Sequence, residues 1–307
     1  AKFAGGRVGV GKKREELAAL LSSSPLGSGA ELTTVSFSQS VSALAEWMGG
    51  EEKNDRVELG FRGLNDSIGG ILKNGVFVLS GRSGHGKTDF ALNMALQMAK
   101  RGNRVLYFSM EMSAVQVAER YVANITRLDK GRIHKKLLSP EEMVLVEDAK
   151  DWLGSGWLHT VEEARISTGK IRRYIEEYHP DVIFVDHLGL MERGTSRDPY
   201  RALGEVTNEL KVIALEKKVA IVELVQMNRQ IEGRQEKIPN LSDLRESGDI
   251  EQDADYVAFL VRSGEACSLS GGGWMDVRLF LEKNRHGPMG NFAFHWQPQY
   301  SRYVERQ

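Results

Sequence analysis

The chain has 307 residues, 41% of them hydrophobic and 27% charged, and 41 Lys and Arg against 42 Asp and Glu leave a formal net charge of −1. This composition is ordinary for a globular protein and excludes a disordered, collagen-like or simple-repeat chain; the length admits two domains or one large α/β domain. No apolar run approaches the roughly 18 residues of a membrane span, a single cysteine, Cys267, excludes an internal disulfide framework, and the near-neutral charge requires any nucleic-acid contact to be local.

Ala1 to Gly11 holds no apolar core long enough for a secretion signal, so the reading is cytoplasmic. The chain begins with Ala rather than Met, which reads as a trimmed or processed piece. Residues 1–35 read as weakly structured, with a basic run at Lys12-Lys13-Arg14 and linker composition from Ser22 to Gly29. Val41, Leu44, Ala45 and Met48 at helical spacing predict a short amphipathic helix from about Ser38 to Met48. Such a helix is too short to stand alone in water and has to dock on its own domain or on a neighbouring subunit.

From about Val57 the pattern alternates. Val76–Leu79 predicts a buried strand, Thr88–Lys100 a helix, and Arg104–Phe108 a second strand. Ser113 with Gln116, and Ser139-Pro140-Glu141-Glu142, are helix starts of the capping-box type. Val182–Val185 is a third strand, Ala202–Lys217 a helix and Val219–Val225 a fourth strand. Strands alternating with helices predict a mostly parallel sheet covered on both faces. After Asp255 the segments Tyr256–Val261, Val277–Glu282 and Asn291–Trp296 predict an antiparallel edge.

The first strand ends in Gly81-Arg82-Ser83-Gly84-His85-Gly86-Lys87-Thr88, the G-x-x-x-x-G-K-[ST] pattern of a phosphate loop. Glycines let successive backbone N–H groups point into one concavity, and the following helix aims its positive end there. In this arrangement Lys87 bridges the β- and γ-phosphates of ATP and the Thr88 hydroxyl holds Mg²⁺. Asp186 ends the apolar run 182–185, which places a carboxylate at the carboxyl end of a buried strand, where open α/β sheets bind ligands. Asp186 is therefore the second metal candidate. Glu111, just past the second strand, is the candidate that polarises the attacking water, against a plain carboxylate in a helix's first turn. Gln226, just past the fourth strand, is the candidate γ-phosphate sensor.

These segments, taken in order with Phe108–Met112, Gln226–Arg229, Ser242–Asp255 and Lys283–Pro288, resemble the motor domain of DnaB-type replicative DNA helicases. The phosphate loop alone indicates an NTPase; the long segment from Ser242 and the Lys-x-Arg-x-Gly-Pro segment narrow the family. The resemblance runs from about Val57 to the C-terminus. It implies residues 1–55 as an N-terminal segment and linker, and 56–307 as a RecA-like P-loop ATPase and helicase motor. It further implies a hexameric ring, a homo-oligomer with ATP at its subunit interfaces, in which Lys283 and Arg285 reach a neighbour's site as an arginine finger. Read without the resemblance, Lys283 and Arg285 are exposed residues on one face of a strand.

The resemblance implies single-stranded DNA along a central channel, bound through Arg245, Glu246 and Gly248 with Arg229 in the neighbouring loop Asn228–Leu241. That loop carries Arg229, Arg234 and Lys237 against Glu232 and Glu236, so one copy binds weakly and six copies sum their contacts. The loop Glu192–Tyr200, with Arg193 and Arg197, is a weaker second candidate. Primase and a helicase loader are the implied protein partners. His187-Leu188-Gly189 stands where the bacterial proteins have Tyr-Leu-Gln, and Val225 where they have Ser. An Asp-His pair is closer to phage primase-helicases, which implies a divergent, phage-encoded member working in a bacterial cytoplasm. The short stretch before the motor implies that the primase-binding collar is missing. Two other readings stay open: another RecA-like ATPase, of the recombinase or clock type, that assembles without unwinding, and a nucleotide-gated scaffold. The segment from Ser242 opposes the first and Glu111 the second.

Overall fold

The structure is a computed structural model and describes residues 36–49, 55–154, 156–192, 199–227, 239–263 and 273–306. The chain divides into two compact units, Ala1–Lys53 and Asn54–Gln307. The described part of the first is one helix, α1 (Phe37–Gly49). Ser36 caps it by accepting from the Gln39 N–H, while the Gln39 side chain accepts from the Ser36 N–H at 2.8 Å. Phe37 and Val41 are exposed.

The described residues of the second unit form eleven strands. They are β1 (Arg56–Val57), β2 (Ile71–Leu72), β3 (Val76–Gly81), β4 (Val105–Ser109), β5 (Leu158–Glu162), β6 (Val182–Asp186), β7 (Ala220–Gln226), β8 (Tyr256–Ser263), β9 (Met275–Asn284), β10 (Gly290–Gln297) and β11 (Arg302–Glu305). The helices are α2 (Arg62–Ile68), α3 (Lys87–Lys100), α4 (Ala114–Thr126), α5 (Lys130–His134), α6 (Pro140–Leu153), α7 (Thr168–Tyr178), α8 (Pro199–Lys217) and α9 (Gly248–Asp253). β1 and β2 form a small antiparallel pair, and the other nine strands make one sheet in the order β11-β10-β9-β8-β3-β7-β6-β4-β5.

The predicted parallel core is present, with one difference at its boundary. β8, expected in the antiparallel edge, pairs parallel with β3 and antiparallel with β9. The antiparallel edge is therefore β9, β10 and β11. Tyr256–Leu260 is wholly buried on both faces, as a strand inside a parallel sheet must be, and hydropathy alone does not say which neighbour it takes. β5, α7 and β11 went unread in the sequence. β5 is a half-buried edge strand without clean alternation; α7 is strongly amphipathic but polar overall, with only Ile171 and Ile175 fully buried, and its apolar face was passed over.

Two cores lie on the two sheet faces. One joins α3 and α2 to the C-terminal strands, with Phe90 packed against Phe61 and Phe294 at 4.9 and 5.2 Å between ring centres. The other packs α7, α8 and α9 against the opposite face. α3 is buried nearly all round, as its apolar residues from Phe90 to Ala99, broken only by Asn93 and Gln97, require. Both predicted capping boxes form, at Ser113 with Gln116 and at Ser139 with Glu142, the latter with Pro140 opening the helix.

β7 carries an anomaly. Glu223 sits mid-strand between Val78 and Val185, fully buried, with neither carboxylate oxygen hydrogen-bonded. Burial pushes its pKa up to about 8, and Asp253 adds to the shift. It is thus held as a neutral acid at neutral pH.

Candidate functional site

β3, β4, β6 and β7 run parallel, so their carboxyl ends open on one side of the sheet. A cleft of about 380 Å³ lies there, lined by the phosphate loop and by Glu111, Asp186, His187 and Gln226. The loop leaves β3 at Gly81 and enters α3 through Gly86, at φ +84°. A side chain at Gly86 has no room: its Cβ would lie 2.3 Å from the Tyr303 hydroxyl and 3.0 Å from the Trp296 ring. Tyr303 donates to the carbonyls of His85 and Gly86, so β11 braces the loop from behind.

The Lys87 ammonium donates to the Gly81 carbonyl at 2.7 Å and to that of Arg82 at 3.3 Å. Burial lowers its pKa, and the nearby charges of Asp186 and Glu111 oppose that. His85 does not face the cleft as a ligand. Its Nδ1 accepts from the Arg262 N–H at 3.4 Å, and burial with the adjacent Arg82 and Arg262 charges pushes its pKa down to about 4, so the ring is neutral.

Asp186 is almost fully buried at the end of β6 and accepts from the Tyr107 hydroxyl at 2.7 Å and from Thr88. Burial raises its pKa, and those two donors pull it back. The Tyr121 hydroxyl, buried close by, has no partner. A carboxylate and a hydroxyl side by side are a hard-oxygen pair that suits Mg²⁺. Among the described residues no group of three His, Cys, Asp or Glu is placed to hold a metal. A cation here therefore depends on phosphate oxygens to complete its shell, the usual arrangement for Mg²⁺ at nucleotide sites. Thr88 and Asp186 fit that role.

Glu111 lies in the turn after β4, before the α4 cap at Ser113, and not in a helix's first turn as the plain reading had it. Its side chain is 68% exposed and approaches His187 Nδ1 at 3.5 Å. Gln226 is the last residue of β7, exposed at the cleft rim. Glu111 and Gln226, with Ser83 of the loop, are polar residues exposed at the rim.

Sequence reasoning missed six lining residues: Asp89, Arg120, Lys130, His187, Trp296 and Pro298. Buried Asp89 pairs with Arg120 and accepts from the Trp296 indole N–H at 3.1 Å. Asp89 had a signal, since it directly follows Thr88 at the start of α3. Trp296 and Pro298 had none, because over 200 residues separate them from the loop they flank.

Lys283 and Arg285 are not at this cleft. Asn284 pairs with Tyr256, Tyr256 with Phe77, and the Arg285 N–H donates to the Asp255 carbonyl. Arg285 is therefore level with the start of β3, five strand residues from Gly81. At about 3.3 Å per residue that is roughly 16 Å along the strand. A bulge at Glu282, where Val257 pairs with Lys283 and Ala258 with Leu281, turns both cations to the face carrying α9. Lys283 donates to the Glu251 carbonyl and Arg285 to that of Gln252.

Arg245 and Glu246 fall in a 3₁₀ segment, Leu241–Ser247, and Gly248 opens α9; the described structure covers their backbone, not their side chains. Arg229, Arg193, Arg197, Cys267 and residues 228–238 lie outside the described residues. Among the described residues no helix is long and apolar enough to cross a membrane.

The chain is 33% identical over 255 residues to a probable plasmid replicative DNA helicase of Chlamydia trachomatis, an alignment covering 81% of this chain and 54% of that protein. The chain thus spans about half the length of the curated relatives it matches. Among solved structures it resembles an isolated ATPase domain with a TM-score of 0.81 and 26% identity, covering 90% of this chain and all of that one. It resembles a DnaB-like replicative helicase, described with its interactions with primase, with a TM-score of 0.78 and 25% identity, covering 97% of this chain and 72% of that one. The fold is therefore that of the RecA-like helicase motors. The model of the DnaB-like helicase C-terminal domain matches residues 56–305, and the chain belongs to that family.

Proposed function

We propose that this chain is the motor of a replicative DNA helicase, which hydrolyses ATP at the interfaces of a homo-oligomeric ring and moves on single-stranded DNA. The observation that carries the reading is the separation of the two half-sites. One end of the sheet holds the phosphate loop, Thr88, Asp186, Glu111 and Gln226. The cation pair Lys283 and Arg285 stands at the other end, too far to serve its own loop. A complete site therefore needs a second copy, and a ring, here a hexamer by family likeness, closes the arrangement without leaving an unused half.

The chemistry follows from the groups present. Lys87 and the loop N–H groups hold the phosphates, and Glu111 takes a proton from water as its oxygen attacks the γ-phosphorus. The bond from that phosphorus to the β-phosphate oxygen breaks, releasing ADP and phosphate. Gln226 donates to the γ-phosphate, and Lys283 and Arg285 of the next copy offset charge growing on the transferring group. Mg²⁺ held by Thr88 and Asp186 would supply further neutralisation of phosphate charge.

DNA is assigned to Arg229, Arg245, Glu246 and Gly248. Helix α1, capped at its start and carrying exposed Phe37 and Val41, is assigned to docking on a neighbouring subunit. Primase is the favoured protein partner, since the DnaB-like neighbour is described with one. A loader and a bacterial cytoplasmic setting complete the reading, and the Asp186-His187 pair supports a phage-encoded member.

The test is ATP turnover with and without single-stranded DNA, on protein sized by light scattering, followed by unwinding of a forked duplex. DNA-stimulated turnover and unwinding by a ring-sized species are expected. DNA-indifferent turnover from an assembled ring would replace the helicase reading with an ATPase that assembles without unwinding.

A further inference from the structure

The carboxylate of Asp255 links three elements: the phosphate-loop strand β3, helix α8 and the end of β9. It is buried in the residue just before β8. Its Oδ2 accepts from the Val76 N–H at 2.8 Å, at the first residue of the phosphate-loop strand, and from the Lys211 ammonium of α8 at 2.6 Å. Its Oδ1 lies 3.8 Å from Arg285 Nη1. The backbone adds two links, Asp255 N–H to the Val76 carbonyl and Arg285 N–H to the Asp255 carbonyl, at 2.9 and 3.0 Å. Around the same point, Lys283 and Arg285 cap carbonyls 251 and 252 at the end of α9.

Two neighbouring cations on one face repel, and both burial and the Arg285 charge depress the Lys283 pKa, while Glu251, Asp255 and Asp253 oppose this. The carbonyls of Glu251 and Gln252 hold the two cation tips, and a fixed anion beside Arg285 offsets the repulsion between them. Asp255 is that anion, and its other oxygen is anchored to two groups that cannot swing: a strand N–H and a partly buried lysine.

We infer that Asp255 is the positioning residue of the finger, aiming Lys283 and Arg285 at the neighbouring subunit's nucleotide from an anchor on the phosphate-loop strand of its own subunit. This inference rests on the trans finger proposed above. It makes one carboxylate the rigid link between the half-site a subunit keeps and the half-site it lends.

The experiment uses mixed rings, because a defect in the finger and a defect in the loop then separate by subunit. Three single variants are prepared, Lys87→Ala, Arg285→Ala and Asp255→Asn, and ATP turnover is read alone and in equimolar pairs. Misaiming a charge-stabilising group by about 1 Å costs on the order of 100-fold in turnover. Asp255→Asn alone is expected to lose 10- to 100-fold in kcat, as an order of magnitude, with nucleotide affinity unchanged. Mixed with Lys87→Ala, which keeps an intact finger, it recovers turnover; mixed with Arg285→Ala it does not.

Recovery with Arg285→Ala and none with Lys87→Ala would place the damage in the variant's own loop and overturn the inference. A Lys87→Ala and Arg285→Ala mixture that stays inactive would remove the trans finger itself, and the inference with it. Should Asp255→Asn melt below the assay temperature, Asp255→Glu keeps the charge and moves its position, and the same pairings decide.

Discussion

The two ends of the β3–β8–β9 ladder handle their cations in opposite ways. At the carboxyl end, Lys87 lies inside its own loop, held by carbonyls that the loop itself supplies. At the other end, Lys283 and Arg285 are held by carbonyls of a helix more than 30 residues earlier in the chain. The first arrangement is complete within eight residues and needs only a strand and a helix on either side. The second needs β8, β9, α8 and α9 to be packed first. A phosphate grip is thus a local device, whereas the far cation pair is a tertiary one; in the proposed ring each subunit carries half of each of two composite sites.

The comparison breaks most visibly at Arg285. If the far end serves a neighbour's phosphate, Arg285→Ala should cost about 1,000-fold or more in ATP turnover while fluorescent-nucleotide binding persists. Turnover within a few fold of the parent would leave the far end with a purely structural duty.

Glu223, midway along β7 between the ends, sharpens the comparison through stability. Its pKa is raised from 4.5 to about 8 in the folded state. Below 4.5 both folded and unfolded chains hold the proton. Between 4.5 and 8 only the folded chain holds it, so stability falls as pH rises through this window and levels off above it. Each unit corresponds to about 1.4 kcal/mol, so the penalty is on the order of several kcal/mol. Glu223→Gln should flatten the decline of Tm between pH 5 and 8; parallel Tm profiles for the two proteins would count against the buried neutral acid.

The smallest effect belongs to a site remote from both ends. The Ser139 hydroxyl accepts from the Glu142 N–H, and the Ser139 N–H donates to the Glu142 carboxylate in return. Ser139→Ala should cost about 1 kcal/mol, a few degrees of Tm, and leave kcat and KM of the ATPase alone. A change in kcat would mean that α6 communicates with the cleft.

How much could be read in advance follows the same division. Gly81–Thr88, Asp186 and both capping boxes are signals within a few residues, and hydropathy places each at the end of an element. Glu111 and Gln226 needed only the rule that parallel strands open their ligand side at their carboxyl ends. Lys283 and Arg285 were legible as a pair on one face, but not as residues turned by a bulge at Glu282 onto α9. Trp296 was read only as the end of a strand and Tyr303 was not read at all, and nothing local announces that they wall and brace the phosphate loop. Glu223 was passed over because its strand is otherwise apolar.

The sequence by itself determined the parallel core, the phosphate loop with the Asp186 carboxylate at the end of a neighbouring strand, and the family, because short-range patterns encode strand, turn and helix ends and motif order encodes kinship. Only the tertiary structure decided that β8 joins the parallel set, that the C-terminal hairpin braces the loop, and that Asp255 ties the loop strand to the cations of the far end. Those depend on which buried strands become neighbours, and fully buried strands look alike in hydropathy whichever partner they take.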